Sequence, residues 1–283
     1  MENRMKRLVS PLLLLCCCWL LAAQAAPQVL FVIGDTGDCR VEGAARVGAA
    51  LRAQPDAGRG ILVEVGDLAY PTATRERLLA CHEPHFGGFA KRLAVPGNHD
   101  WRDPGAAGFF SLFPGAVPRK SKLDGPWALL LLDSNLRGEA WVEQLRWLDD
   151  TLAASRNECL IAVWHHPRWS SGQHGDSAFI APLWQRVVGR AALSLHGHDH
   201  HFEALPPLDI KGDSSADGLP SFVVGHGGAP LYTGGWKARS ERAHFGHWGF
   251  LRLELEGREY RWSAVDTDGK VVDSGRGACR PTP

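Results

Sequence analysis

The sequence has no excess of either charge. Lysine and arginine number 31 and aspartate and glutamate 31 over 283 residues. That balance excludes a polybasic surface for nucleic acid or for an anionic membrane. Past residue 25 there is no apolar run long enough to cross a bilayer, which takes about 20 residues. There is no internal repeat, which excludes solenoids and propellers. The C-x-x-C spacing is also missing after residue 25, which argues against a redox dithiol or a zinc–thiolate site.

What is present begins with a leader. Arg4, Lys6 and Arg7 precede an apolar run from Leu8 to Ala23, and Ala23-Gln24-Ala25 has the small-x-small form of a cleavage site. Residues 1–25 therefore read as a secretory signal, and 26–283 as a single domain. An uncleaved membrane anchor is the alternative, opposed by Pro11 and by a run of only about sixteen residues. A lipid on Cys16, Cys17 or Cys18 is another, opposed by the lack of a small residue before Cys16. Cleavage removes three basic residues and one acidic, leaving 28 against 30 in 258 residues. The expectation is an exported protein, periplasmic or secreted, with no stable membrane association after cleavage and no nucleic-acid partner. Four cysteines remain, Cys39, Cys81, Cys159 and Cys279. An oxidising compartment favours one or two disulfides, with three full pairings open. The oligomeric state is not legible.

Near-continuous apolar runs at 29–33, 61–65, 127–133, 159–164, 192–195 and 221–224 predict strands buried on both faces. Helices are predicted at 41–54, 74–81, 139–154 and 178–190. In the third, Trp141, Leu145, Leu148 and Leu152 fall at helical spacing. Residues 248–257 and 258–266 alternate with period two and predict an antiparallel hairpin, with a further turn at 267–270. Residues 101–126 and 203–220 read as loops. The fold expected is α/β, with two packed sheets flanked by helices.

The chemistry stands at the strand ends. Gly34-Asp35 follows the first run, Gly66-Asp67 and then Tyr70 the second. "PGNHD" places Asn98 and His99, and His165-His166 closes "CLIAVW". "SLHGHDHHF" holds His196, His198, His200 and His201. Strand carboxyl ends in open α/β sheets converge on one edge, where ligands bind. Aspartates and an asparagine carbonyl are hard oxygen ligands, and imidazoles suit zinc, iron and manganese. A mixed set too large for one ion suits a dinuclear hydrolytic centre with a bridging carboxylate. Extended geometry alone would put His196, His198 and His200 on one face and His201 on the other.

These residues stand as "GDTG" (34–37), "GDLAY" (66–70), "GNHD" (97–100), "WHHP" (164–167) and "GHDH" (197–200). In that order they resemble the motifs of the calcineurin-like metallophosphoesterases, and among them the purple acid phosphatases, from residue 29 to about 265. The resemblance implies a four-layer α/β/β/α sandwich. It implies Asp35, Asp67, Tyr70 and His200 on a first metal, and Asp67 as bridge with Asn98, His165 and His198 on a second. Many relatives carry Asp-x-His in the first motif; here that position is Gly37, and Tyr70 takes the place of the missing His. A phenolate favours Fe(III) at the Tyr70 site, with Fe(II), Zn or Mn at the second. The run 165–175 further resembles the tartrate-resistant acid phosphatases, in short bacterial secreted form. Its second His, His174, would contact substrate.

The implied activity is a metal-dependent acid phosphatase that hydrolyses small phosphate monoesters by attack of a metal-bound hydroxide. His99 and His174 would act as catalytic groups on charge or on the leaving oxygen. A phosphodiesterase or nucleotidase on the same site is the alternative, and a non-catalytic metal-binding protein a remoter one. Ser170 and Ser171 read as loop-shaping. His166, Asp199 and His226 are candidates to orient the ligating imidazoles. His82, His85, His244 and His247 read as loop or surface positions.

Overall fold

The structure is a computed structural model and describes residues 27–279 except 236, 238 and 241. The predicted leader, 1–25, lies outside the described residues. In chain order the elements are β1 (Gln28–Ile33), α1 (Gly43–Arg52), β2 (Ile61–Glu64), α2 (Arg75–Arg77), a π-helical turn (Leu78–His82), α3 (Glu83–Phe86) and β3 (Lys91–Ala94). There follow α4 (Ala107–Leu112), β4 (Arg119–Lys122), β5 (Trp127–Leu131), α5 (Gly138–Ala154), β6 (Cys159–Val163), α6 (Ala181–Val187) and β7 (Ala191–His196). The chain closes with β8 (Phe202–Leu208), β9 (Leu219–Val224), β10 (Ala243–His244), β11 (Gly249–Glu256), β12 (Glu259–Asp266) and β13 (Val271–Ala278).

Two mixed sheets result. One runs β13-β12-β11-β1-β2-β3 and the other β10-β8-β9-β7-β6-β5-β4. The pairs β1/β2, β2/β3, β5/β6, β6/β7 and β7/β9 are parallel. Strand alternation then sorts the side chains. From β1, Leu30 and Val32 join Val63, Leu129, Leu131, Ile161, Val163 and Leu195 in the layer between the sheets. Phe31 and Ile33 point the other way, onto Val47 and Leu51 of α1 and Phe86 of α3. On the far face of the second sheet, Leu130 and Ala162 meet Leu148, Leu152, Leu183 and Trp184 of α5 and α6. Each face of both sheets is thus covered, which gives the four layers. Trp141 and Leu145 pack at the edge of this last cluster, so the helical stripe on α5 is core.

The regions expected to be loops are more ordered than that. The 101–126 stretch holds α4 and the edge strand β4, and 203–220 contains most of β8 and the start of β9. The helix expected at 74–81 continues through the π turn to Phe86. Of the three possible pairings the cysteines take Cys39–Cys81 and Cys159–Cys279. The first ties the loop after β1 to the π turn. The second ties the start of β6 in one sheet to the residue after β13 in the other.

His82 corrects another expectation. It is fully buried, with Nε2 2.7 Å from Glu64 Oε2 and Nδ1 2.9 Å from Thr36 Oγ1. Arg92 Nε donates to Glu64 Oε1 at 2.8 Å, and Arg92 Nη1 donates to Glu83. A buried carboxylate survives only when paired, and this network lies under the loops that follow β1 and β2.

Candidate metal centre

The loops after β1 and β2 keep pairing beyond the strands. Asp35 N donates to Gly66 O, Thr36 N to Asp67 O and Gly37 N to Leu68 O, each at 3.0 Å. Asp35 (φ 56°), Asp67 (φ 55°) and His198 (φ 74°) all sit in the left-handed region. For a residue with a Cβ this costs about 1–3 kcal/mol and persists only where the surroundings impose it. The strain turns three side chains inward at one point. Gly97 is needed beside them, because a Cβ there would collide with Asp67 Oδ1.

Each aspartate is held by one oxygen and presents the other. Asp35 Oδ2 accepts from His198 N at 2.8 Å, and Asp67 Oδ1 accepts from His99 N at 2.7 Å. Around the free oxygens, the Tyr70 hydroxyl is 2.8 Å from Asp35 Oδ1, 3.1 Å from Asp67 Oδ2 and 3.1 Å from His200 Nε2. His200 Nε2 is also 3.4 Å from Asp35 Oδ1. On the other side of Asp67 Oδ2, His165 Nε2 lies at 3.4 Å, and 3.2 Å from Asn98 Oδ1. The His198 ring is 5.2 Å from that of His165. All seven residues read from the motifs as ligands are therefore brought together. Asp67 stands between an Asp35–Tyr70–His200 group and an Asn98–His165–His198 group.

The imidazoles are oriented by main-chain carbonyls. Val65 O is 2.8 Å from His165 Nδ1, and Pro230 O is 2.6 Å from His200 Nδ1. Pro71 O is 2.7 Å from His99 Nδ1. A carbonyl can only accept, so Nδ1 carries the proton and Nε2 faces the centre. The side chains expected in this role do other work. Asp199 accepts from Ser170 Oγ and His174 N, fixing the 165–175 loop. His226 packs against Phe202. His166 bonds Ser134 Oγ through Nδ1 and, with His165 and His198, forms a group whose ligand nitrogens all lie within 4.8 Å of one another. Asp100 is a contributor that motif reading left without a role. Its carboxylate accepts from the backbone of Asp67, Leu68 and Gly97 and so clamps two motif loops together.

The buried groups perturb one another's protonation. Burial and the charges of Asp35 and Asp67 push the Tyr70 phenol well above its ordinary value. Burial alone would raise Asp67, but His165, His99 and His198 outweigh it and hold the carboxyl below the usual range. Burial would lower His165, yet Asp67 lifts it to about 10. A cation among these oxygens reverses the sign of the environment around Tyr70. Two buried carboxylate oxygens, a phenol, an amide oxygen and imidazole nitrogens turned inward are a donor set that fits two metal ions.

At the mouth, His99 Nε2 stands 4.0 Å from Asp67 Oδ2. His174 stacks on His198, with ring centroids 4.1 Å apart. Tyr232, which no sequence motif marks, stacks on His200 at 4.8 Å, and its hydroxyl lies 2.9 Å from His174 Nε2. Burial, with the charges of Asp199, Asp35 and Asp67, pushes that phenol well above its ordinary value. Extended geometry does not run on through the histidine tract, because β7 ends at His196. His196 bonds Trp164 O and Ser194 Oγ, and His201 is buried against Glu203. A cavity of about 960 Å³ lies elsewhere, among Arg190, Phe222, Arg242 and Trp262. Donor chemistry at the strand ends, not cavity size, selects the site.

Residues 29–202 match the model of the calcineurin-like phosphoesterase family. The chain belongs to that family. A curated relative, a probable cyclic nucleotide phosphodiesterase of Moraxella catarrhalis, is 33% identical over 91 residues, which cover 29% of this chain and 33% of that protein. The match thus spans about a third of that relative's length. Among solved structures, GAP50, the anchor in the inner membrane complex of Plasmodium, superposes with a TM-score of 0.74 at 16% identity, covering 90% of both chains. The purple acid phosphatase PPD1 of yellow lupin gives 0.67 at 16% identity, over 90% of this chain and 54% of that one. A dimetal phosphatase of Danio rerio gives 0.62 at 13%, over 90% and 100%. These likenesses establish the calcineurin-like phosphoesterase fold, and dimetal members of the family imply two metal ions.

Proposed function

We propose that this phosphoesterase is a dinuclear hydrolase of the purple-acid-phosphatase type that cleaves small phosphate monoesters after export. The observation that carries the reading is the Tyr70 hydroxyl, within 3.1 Å of Asp35, Asp67 and His200, where the first motif has Gly37 instead of a histidine. Asp35, Asp67, Tyr70 and His200 would hold Fe(III). Asp67, Asn98, His165 and His198 would hold Fe(II), Zn or Mn. When bound, such ions supply an acidified water and neutralise charge on phosphoryl oxygens.

The chain's own groups do the rest. His99 is fixed through Nδ1 to Pro71 O, so a protonated ring offers Nε2–H toward the centre, to the phosphoryl group or the leaving oxygen. His174 offers a second imidazole at the mouth. Export is supported by the leader-like residues 1–25 and by two disulfides, which suit an oxidising compartment. Among the described residues no helix is long and apolar enough to cross a membrane.

GAP50 is named an anchor, and a fold does not by itself make a hydrolase. The full set of ligand side chains in this chain favours catalysis. The relative named as a cyclic nucleotide phosphodiesterase supports the second reading, a diesterase on the same centre. Turnover of p-nitrophenyl phosphate beside its bis-ester tests the choice. Faster turnover of the diester would reverse the monoester reading, and no turnover of either would end both.

A further inference from the structure

The segment that follows β9 grips His200 in three ways, and Tyr232 supplies two of them. Its ring lies parallel to the His200 ring, with 10° between the planes. Its backbone N–H donates to the His200 carbonyl at 3.1 Å. Two residues earlier, Pro230 O takes the His200 Nδ1 proton at 2.6 Å. The Tyr232 hydroxyl then crosses to another loop, 2.9 Å from His174 Nε2. His174 is itself stacked on His198 with 26° between the rings. One side chain therefore joins the loop that carries His174 to a ligand of the Asp35–Tyr70 group, over the mouth of the site.

We propose that Tyr232 is a positioning residue with two separable tasks. Its ring keeps His200 turned into the first-metal group, and its hydroxyl holds His174 over His198 in one tautomer. The inference rests on the reading that the centre hydrolyses a phosphoester. A hydroxyl that donates to Nε2 leaves the His174 proton on Nδ1. It also removes a ring rotation that would otherwise have to be frozen when substrate arrives. Tyr232 needs no contact with the reacting atoms for either task.

The two tasks predict different losses. Tyr232→Phe keeps the ring and deletes the hydroxyl. Its first-site metal affinity, read by competition with a chelator, should match the parent protein. Its turnover of an alkyl phosphate such as glycerol 2-phosphate should fall about tenfold or more, within the range positioned acid–base groups contribute. Turnover of p-nitrophenyl phosphate, whose leaving oxygen needs little help from a proton, should fall much less. Tyr232→Ala removes the ring as well, and first-site affinity should drop about 10- to 100-fold, as when other residues that orient ligands are lost. If thermal unfolding finds Tyr232→Ala misfolded, Tyr232→Leu, which fills space without a flat face, replaces it in the same assay. Unchanged alkyl phosphate turnover in Tyr232→Phe, or parental metal affinity in the ring-deleted variant, overturns the proposal. A parent protein inactive on both substrates would instead refute the phosphoester reading, and the metal-affinity arm would still decide the role of the ring.

Discussion

Oδ2 of Asp67 lies 3.1 Å from the hydroxyl of Tyr70, and the same oxygen is 3.4 Å from His165 Nε2. A carboxylate oxygen that faces both halves of a centre is placed to bridge two ions, so its removal should cost both. Asp67→Ala should lower bound metal from about two ions per chain to less than one, by elemental analysis, and reduce phosphatase activity about 1,000-fold or more. Asp67→Asn is the sharper companion. Asparagine tolerates the left-handed backbone and keeps the side-chain shape, so the same loss in this variant isolates the charge. Retention of two ions by both variants would exclude the bridge.

Under the proposed function Tyr70 carries the choice of metal. If it binds Fe(III) as phenolate, the purified protein should show a visible charge-transfer band, and Tyr70→Phe should abolish the band. Active protein without iron would remove the Fe(III) assignment and leave family and fold untouched.

Glu64 links stability to pH. It is fully buried, and although burial raises its carboxyl, Arg92 and His82 outweigh that and hold it below the ordinary value of 4.5. The folded pKa being the lower one, the stabilisation is present above about 4.5 and is lost as pH falls through the folded value. Glu64→Gln leaves Arg92 short of its main partner and should cost about 3–5 kcal/mol near neutral pH. Denaturant titrations at neutral pH and below 4.5 should find the gap between variant and parent narrowing in acid. A gap independent of pH would contradict the pairing.

The two disulfides should separate in their effects. Cys159–Cys279 closes 120 residues and Cys39–Cys81 closes 42, and loss of either should cost about 2–5 kcal/mol. Only Cys39–Cys81 adjoins the centre, since Cys39 follows the Asp35 loop and Cys81 precedes His82. Replacing both of its cysteines by serine should weaken metal binding as well as lower Tm. The Cys159→Ser/Cys279→Ser pair should lower Tm alone. Equal metal affinity in the two double variants would count against this division.

The seven side chains gathered at the centre were legible because each sits in a short motif at a strand end. The buried strands β1, β2, β5, β6 and β7 were legible as apolar runs. Two others were not: β4 is "RKSK", charged on an open edge, and β8, flanked on its outer side by the two-residue β10, carries Pro206 and Pro207, which demote a strand reading. His82 could not be placed because its partners, Glu64 and Thr36, come from other elements. Asp100 stood inside the "GNHD" motif, but its role depends on backbone donors 32 and 33 residues away. Tyr232 lies in a segment without a motif, and only tertiary contact brings it to His174 and His200.

Gly37 and Tyr70 are coupled more tightly than a vacancy and its replacement. Gly37 bridges Ala69, and its carbonyl accepts from Tyr70 N at 3.0 Å. A Cβ at position 37 would sit 2.5 Å from Leu68 O and 3.1 Å from His82 Cβ. The bare backbone at 37 is therefore what lets the segment bearing the tyrosine come close enough to deliver it. No single substitution converts this centre to the Asp-x-His form, because a histidine at 37 would displace the strand end that carries its rival. The tyrosine form and a histidine form at position 37 are separated by a backbone rearrangement, because the 68–70 main chain would have to move and His82 repack.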